Sequence, residues 1–160
     1  MISQTAEYAL RAVMWLAAHD RATSGTSVIA EGTGVPAGYL SKVLQCLARH
    51  GLVISTPGRH GGFRLARAAT EVSVLDVVQA VAPFGRIQTC PLRAESHKGR
   101  LCPLHRRLNE AMESLEKAFA AVTIGQLLQE QGIHRHSCGA LAGERQAAPL
   151  PPGQTARGES

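Results

Sequence analysis

A mainly α fold with one small β-hairpin and a long helix towards its C-terminal end is what this sequence predicts. Three observations carry that expectation. Apolar residues recur at spacings of three and four through most of the first 130 positions, the period of a helix with one buried face. Two short β-prone runs, "LVIST" and "GFRLA", joined by the glycine-rich "PGRHGG", interrupt the pattern once. The longest periodic stretch, from Pro103 to Val122, follows that interruption.

Taken in order, Ser3 caps a first helix through about His19, with Ala6, Ala9, Leu10, Val13, Met14, Leu16 and Ala17 on one face. After the loop "DRATSG", Thr26 or Ser27 caps a short second helix carrying Val28, Ile29 and Ala30, which Gly34 ends in a left-handed turn. Pro36 presets the start of a third helix, whose Tyr39, Leu40, Val43, Leu44 and Leu47 form an apolar stripe before Gly51 stops it. Helix, tight glycine turn, helix is the layout of a helix-turn-helix, and the hairpin directly behind it reads as a wing. "SVLD" at Ser73 to Asp76 is a capping-box pattern that opens a helix through about Val81, ended by Pro83 and Gly85. Residues 84–102 then form a long loop, a feature that in compact domains is functional or disordered.

Pro103 starts the long helix, in which Leu104, Leu108, Ala111, Met112, Leu115, Ala118, Phe119 and Val122 recur as in a coiled-coil seam. One small winged domain offers little surface to cover such a stripe, so the expectation is a homodimer paired through this helix. Thr123 caps a final short helix with Ile124, Leu127 and Leu128. From Gly132 onward Gly, Ala, Pro, Gln and Ser dominate without an apolar period, which predicts disorder. The resulting organisation is a winged helix-turn-helix domain at 1–83, a loop at 84–102, a dimerisation helix with a short final helix at 103–131, and a disordered tail at 132–160.

A length of 160 residues with 44% hydrophobic content suits one domain with a tail. No apolar run approaches the roughly 20 residues of a membrane span, and "MISQTAEYAL" lacks the basic start and apolar segment of a secretory signal. A soluble cytoplasmic protein with no membrane partner is therefore expected. The net charge of +5 is modest, but its placement is not even. From Gly32 to Thr70 there is no acidic residue, while Lys42, Arg49, Arg59, Arg64 and Arg67 fall in that window, which suits a polyanion.

On the third helix Gly38, Ser41, Lys42, Gln45 and Arg49 lie away from the apolar stripe. They offer hydrogen-bonding groups to base edges and cations to phosphates of double-stranded DNA, and Tyr39 beside them joins the DNA-contacting set. At the wing, Arg59, His60 and Gly61 are placed against the backbone or minor groove. A solvated helix face and an ordinary surface hairpin are the competing readings of each piece alone. Nothing resembles a nucleophile with a positioned base or a phosphate-cradling loop, so no enzyme is expected.

The loop and the helix start contain "CPLRAESHKGRLCPLH". Cys90, His97, Cys102 and His105 are four candidate ligands for a soft or borderline metal, spaced Cys-x6-His-x4-Cys-x2-His. That spacing matches no common zinc finger. A second reading is a strip of phosphate-contacting cations, from Arg93, Lys98, Arg100, Arg106 and Arg107. A small iron–sulfur or zinc carrier or redox protein is the rival from another class, although it leaves the basic window and wing without a purpose. Cys46 falls among core positions of the third helix.

"TAEYALRAV", "VPAGYLSKVLQCLARHGLV", "GRHGGFRLAR" and "SVLDVVQAV" together resemble the Rrf2 family of bacterial winged-helix transcription regulators, over about Met1 to Glu130. The resemblance implies a homodimer bound to an operator, with the long helix crossing to the partner and a preceding loop that in many members holds an iron–sulfur cluster. Those members usually offer three cysteines, the outer two with eleven residues between them, and Cys90 and Cys102 keep that spacing. The middle position is Ser96, with His97 beside it, and "CPLH" keeps a Cys-x2-His ligand position at His105. Some members complete the cluster with a carboxylate from the first helix, which by resemblance points to Glu7 in "TAEYAL". Two thiolates with nitrogen or oxygen ligands resemble a [2Fe–2S] centre of mixed ligation. Zinc, or a regulator with no metal, are the alternatives.

Overall fold

The computed structural model describes residues 2–19, 23–59, 61–90 and 101–132. Among these the order is α1 (Gln4–Ala18), α2 (Thr26–Thr33), α3 (Ala37–Arg49), β1 (Val53–Thr56), β2 (Gly62–Leu65), a 3-10 turn (Ala69–Glu71), α4 (Val74–Val81), α5 (Pro103–Ala120) and α6 (Ile124–Gly132). The mainly α winged architecture expected from the sequence is thus the one observed. His60, His97, most of the loop and the tail beyond Gly132 lie outside the described residues.

Helix α1 is the spine, packed against α2, α3, α4, α6 and β2. It can serve that many neighbours because Ala6, Ala9 and Ala12 line its buried face with Val13 and Leu16, and small side chains let other backbones come close. The Ser3 hydroxyl accepts from the Ala6 N–H at 3.2 Å and satisfies one otherwise unpaired donor of the helix start. Around this spine Leu16, Ile29, Leu40, Leu44, Leu47, Leu52 and Ile124 are fully buried and Val53 is buried with them, so α1, α2, α3, β1 and α6 share one core.

The start of α2 differs from expectation. Gly25 is its N-cap and no side chain caps it, so Thr26 and Ser27, the expected caps, lie inside the helix. Ser24 exchanges both backbone hydrogen bonds with Phe63 of β2, at 2.8 and 3.0 Å, and the chain enters the helix one residue earlier than a Thr26 cap requires. In the turn to α3, Gly34 takes φ 68°, as its C-terminal position demands. Thr33 is buried there, and its hydroxyl donates to the Ile29 carbonyl at 2.7 Å.

Helix α3 buries Leu40, Val43, Leu44 and Leu47. It ends in a Schellman closure, with the Leu52 N–H donating to the Leu47 carbonyl at 3.0 Å and Gly51 at φ 69°. The strands pair antiparallel, Val53 with Leu65 through Thr56 with Gly62. The expected capping box of α4 is complete: Ser73 and Asp76 bond each other's backbone N–H reciprocally at 2.9 and 3.0 Å. A similar pair opens α6, where Gln126 accepts from the Thr123 N–H at 2.8 Å and the Thr123 hydroxyl accepts from the Gln126 N–H at 3.2 Å. The segments ahead of α4 and α6 are joined by Val74 N–H to Val122 carbonyl and Ile124 N–H to Val72 carbonyl bonds. Helix α5 has no fully buried residue, and Leu104, Leu108 and Leu115 are 61%, 46% and 43% exposed. Its Phe119 meets Phe84 edge-on at 6.5 Å between centroids.

Candidate nucleic-acid interface and Cys/His site

With its inner face in the core, α3 turns Gly38, Lys42, Gln45 and Arg49 to the outside. Ser41 is half-buried, its hydroxyl donating to the Ala37 carbonyl at 3.1 Å, so its oxygen keeps lone pairs for an outside donor. Tyr39 does not belong to the core stripe. It is 41% exposed, its hydroxyl lies 2.7 Å from the Thr5 hydroxyl, and its ring meets that of Tyr8 edge-on at 5.5 Å. Thr5 and Tyr8 thus brace the first turn of α3 from α1, a role no sequence period revealed because the pairing spans 34 positions. Cys46, as expected, faces inward: its thiol donates to the Ala80 carbonyl of α4 at 3.1 Å.

At the wing, Arg59 is exposed. The Gly61 N–H closes the turn on the Gly58 carbonyl at 2.9 Å, and a Cβ on Gly61 would stand 2.1 Å from the Thr56 carbonyl oxygen. Glycine at 61 is therefore a requirement of the turn itself.

The second constellation lies at the start of α5. Cys102 is the N-cap and His105 stands three residues on, the offset at which N-cap and third-residue side chains meet in a capping box. The spacing Cys-x2-His thereby becomes contact: Cys102 Sγ is 3.1 Å from His105 Nδ1. Cys90, brought in from the end of the preceding segment, has its Sγ 3.5 Å from the same nitrogen. All three ligand atoms lie within 4.8 Å of one another, both cysteines are buried and His105 is half-buried. Two sulfurs and one imidazole suit iron–sulfur or zinc chemistry, and the helix N-terminus beside them favours a centre of negative charge. Glu7 is not in this group; it pairs with Arg11 on the surface of α1.

The segment leading to Cys90 is fastened to α5. The Ile87 N–H donates to Asn109 Oδ1 at 2.9 Å, and Arg86 reaches Glu113 at 2.8 Å and Glu116 at 3.1 Å. These two hydrogen bonds, Glu113 first, raise the Arg86 pKa, while Lys117 and then Arg86 lower that of Glu113. On its other side the Phe84 carbonyl accepts from Gln79 Nε2 of α4 at 2.8 Å.

The Rrf2 family model, described as iron-dependent transcriptional regulators, matches residues 2–130. The chain belongs to the Rrf2 family. Protein aau3 of Rhizobium meliloti is 32% identical over 130 residues, covering 80% of this chain and 84% of the relative. Among solved structures, IscR of T. potens superposes with a TM-score of 0.66 at 23% identity, over 94% of this chain and 93% of the other. CymR, titled the global cysteine regulator of B. subtilis, gives 0.64 at 21% identity, over 81% of this chain and 97% of the other. Both likenesses are of fold. As an Rrf2 protein the chain is a DNA-binding transcription regulator and not an enzyme. Among the described residues no helix is long and apolar enough to cross a membrane.

Proposed function

We propose that this Rrf2 regulator is a cytoplasmic homodimer whose grip on a double-stranded DNA operator responds to a metal centre held by Cys90, Cys102 and His105. The observation that carries the reading is the convergence of those three donor atoms within 4.8 Å, at the start of the helix whose leucines lack a cover. Ser41, Lys42 and Gln45 address the major groove, Ser41 and Gln45 through base edges and Lys42 as a cation for phosphate, with Gly38 and Tyr39 at the leading end of α3 and Arg49 on phosphate. Arg59, His60 and Gly61 address the backbone or minor groove. The second copy covers Leu104, Leu108 and Leu115, which run into an apolar cleft of about 500 Å³ lined by Ala6, Val78, Phe84, Met112 and Phe119.

For the centre itself, the family description and the two-thiolate donor set favour an iron–sulfur cluster, read here as [2Fe–2S], with His97 or Glu7 completing the ligands. When bound, such a cluster supplies a redox-sensitive bridge between segments of the chain. The residues do the rest: Cys90 and Cys102 join the end of the 84–90 segment to the start of α5, and His105 fixes their separation. Zinc is the second reading, favoured by one observation. Neighbouring sulfur and nitrogen ligands on one tetrahedral zinc stand about 3.6 Å apart, close to the 3.1 and 3.5 Å found here.

Anaerobic purification followed by an absorption spectrum and iron, sulfide and zinc analysis separates the two. Cys90→Ala and Cys102→Ala are expected to abolish the metal content and change operator affinity. Variants with unaltered affinity and unaltered absorption would remove the sensor role and leave the DNA-binding role standing.

A further inference from the structure

We propose that Asn109 and Arg86 are positioning residues that tie operator affinity to the occupancy of the Cys90, Cys102 and His105 site, by strapping the segment before Cys90 onto α5. The proposal rests on the metal-responsive reading above and names the part that transmits the response.

Asn109 follows His105 by one helical turn, and Glu113 and Glu116 follow on the same face of α5. Those three side chains take hold of Ile87 and Arg86. The segment 84–87 is thus bound along about two turns of the helix that carries two of the three metal ligands. Its other edge belongs to the reading head: the Phe84 carbonyl is held by Gln79 of α4, and the next residue, Ala80, receives the Cys46 thiol of α3. Three hydrogen bonds, linked through the backbone at 84–87 and 79–80, therefore join Asn109 of α5 to the back of the recognition helix. A change in how Cys90 sits against α5 must shift 84–87 relative to α4 or break the strap. Exposed ion pairs such as Arg86 with Glu113 add little to stability, about 0–1 kcal/mol in general. Their removal should spare the fold and disconnect the two sites.

The test uses the full chain and a duplex selected by the wild-type protein from a randomised pool. Affinity is measured metal-free, loaded with Co(II), and reconstituted anaerobically with ferrous iron and sulfide. The thiolate-to-cobalt absorption reports occupancy independently of DNA. Wild-type Kd is expected to differ about tenfold between the metal-free state and at least one loaded state, within the usual range of coupling between sites. In Asn109→Leu and Arg86→Met the absorption is expected to persist while the difference falls to about twofold or less. Asn109→Asp keeps an acceptor oxygen for the Ile87 N–H and should respond as wild type does.

A full response in both strap variants overturns the strap alone. A wild-type Kd equal in all three states overturns the metal-responsive reading, and the strap with it. Loss of cobalt absorption in both variants also overturns the proposal, since these residues would then build the site rather than relay its state. Arg86 is a surface residue, so its variant decides the matter should Asn109→Leu fail to fold.

Discussion

At the scale of single residues, the outward side chains of α3 divide by the kind of contact each can make. The Gln45 amide offers a donor and an acceptor together and suits the paired edge of adenine. Gln45→Ala is expected to cost about 1–3 kcal/mol at one base position and to relax specificity there. Binding to a panel of single-base operator variants checks this. The Lys42 ammonium is a point charge, so Lys42→Ala should weaken all duplexes alike and flatten the logarithmic salt dependence by about 1. An unchanged salt slope would remove Lys42 from the phosphate contacts. Gly61 acts through the backbone alone. A methyl group placed 2.1 Å from the Thr56 oxygen must open the turn, so Gly61→Ala should lower stability by about 1–3 kcal/mol. Thermal unfolding measures that loss, and no DNA is needed to see it.

Among the elements, the ones with local signatures were the legible ones. The stripe Leu40, Val43, Leu44, Leu47 and the Ser73–Asp76 box are written within a few consecutive residues, and both are present as read. The entry to α2 was not legible, because Ser24 pairs there with Phe63, a partner 39 positions away. Tyr39 looked like core by its period, yet Thr5 and Tyr8 of α1 hold it at the surface. Helix α5 was legible as an amphipathic helix, and its exposed leucines make a direct prediction. Leu108→Glu should convert the proposed dimer to monomer and depress operator affinity, both read by sedimentation and titration of one sample. Acid tests the other face of the same helix. Glu113 is held below its ordinary value of 4.5 by Lys117 first and then Arg86. A depressed carboxylate stabilises the fold above its unfolded pKa and loses that contribution as pH falls through the folded value. The stability difference between wild type and Glu113→Gln should therefore be constant above about pH 4.5 and vanish below the carboxylate range. Urea midpoints across that range report it.

For the whole molecule, what the sequence hid were meetings between distant segments. The Cys-x2-His spacing showed that Cys102 and His105 can touch, but not that Cys90 meets them from a segment whose contacts with α5, through Asn109 and Arg86, belong to no motif. Glu7, implied by resemblance alone, stands apart from the three donors within this chain and pairs with Arg11. The bond pair between Ser24 and Phe63 has a consequence at this scale too. It bridges the stretch ahead of α2 to the edge of the two-stranded hairpin, which favours wing and groove-reading helix turning as one block. On the dimer reading, such a block cannot adjust when its two binding sequences fall out of helical phase, and inserting about five base pairs, half a turn of B-DNA, between them should leave only one protomer engaged.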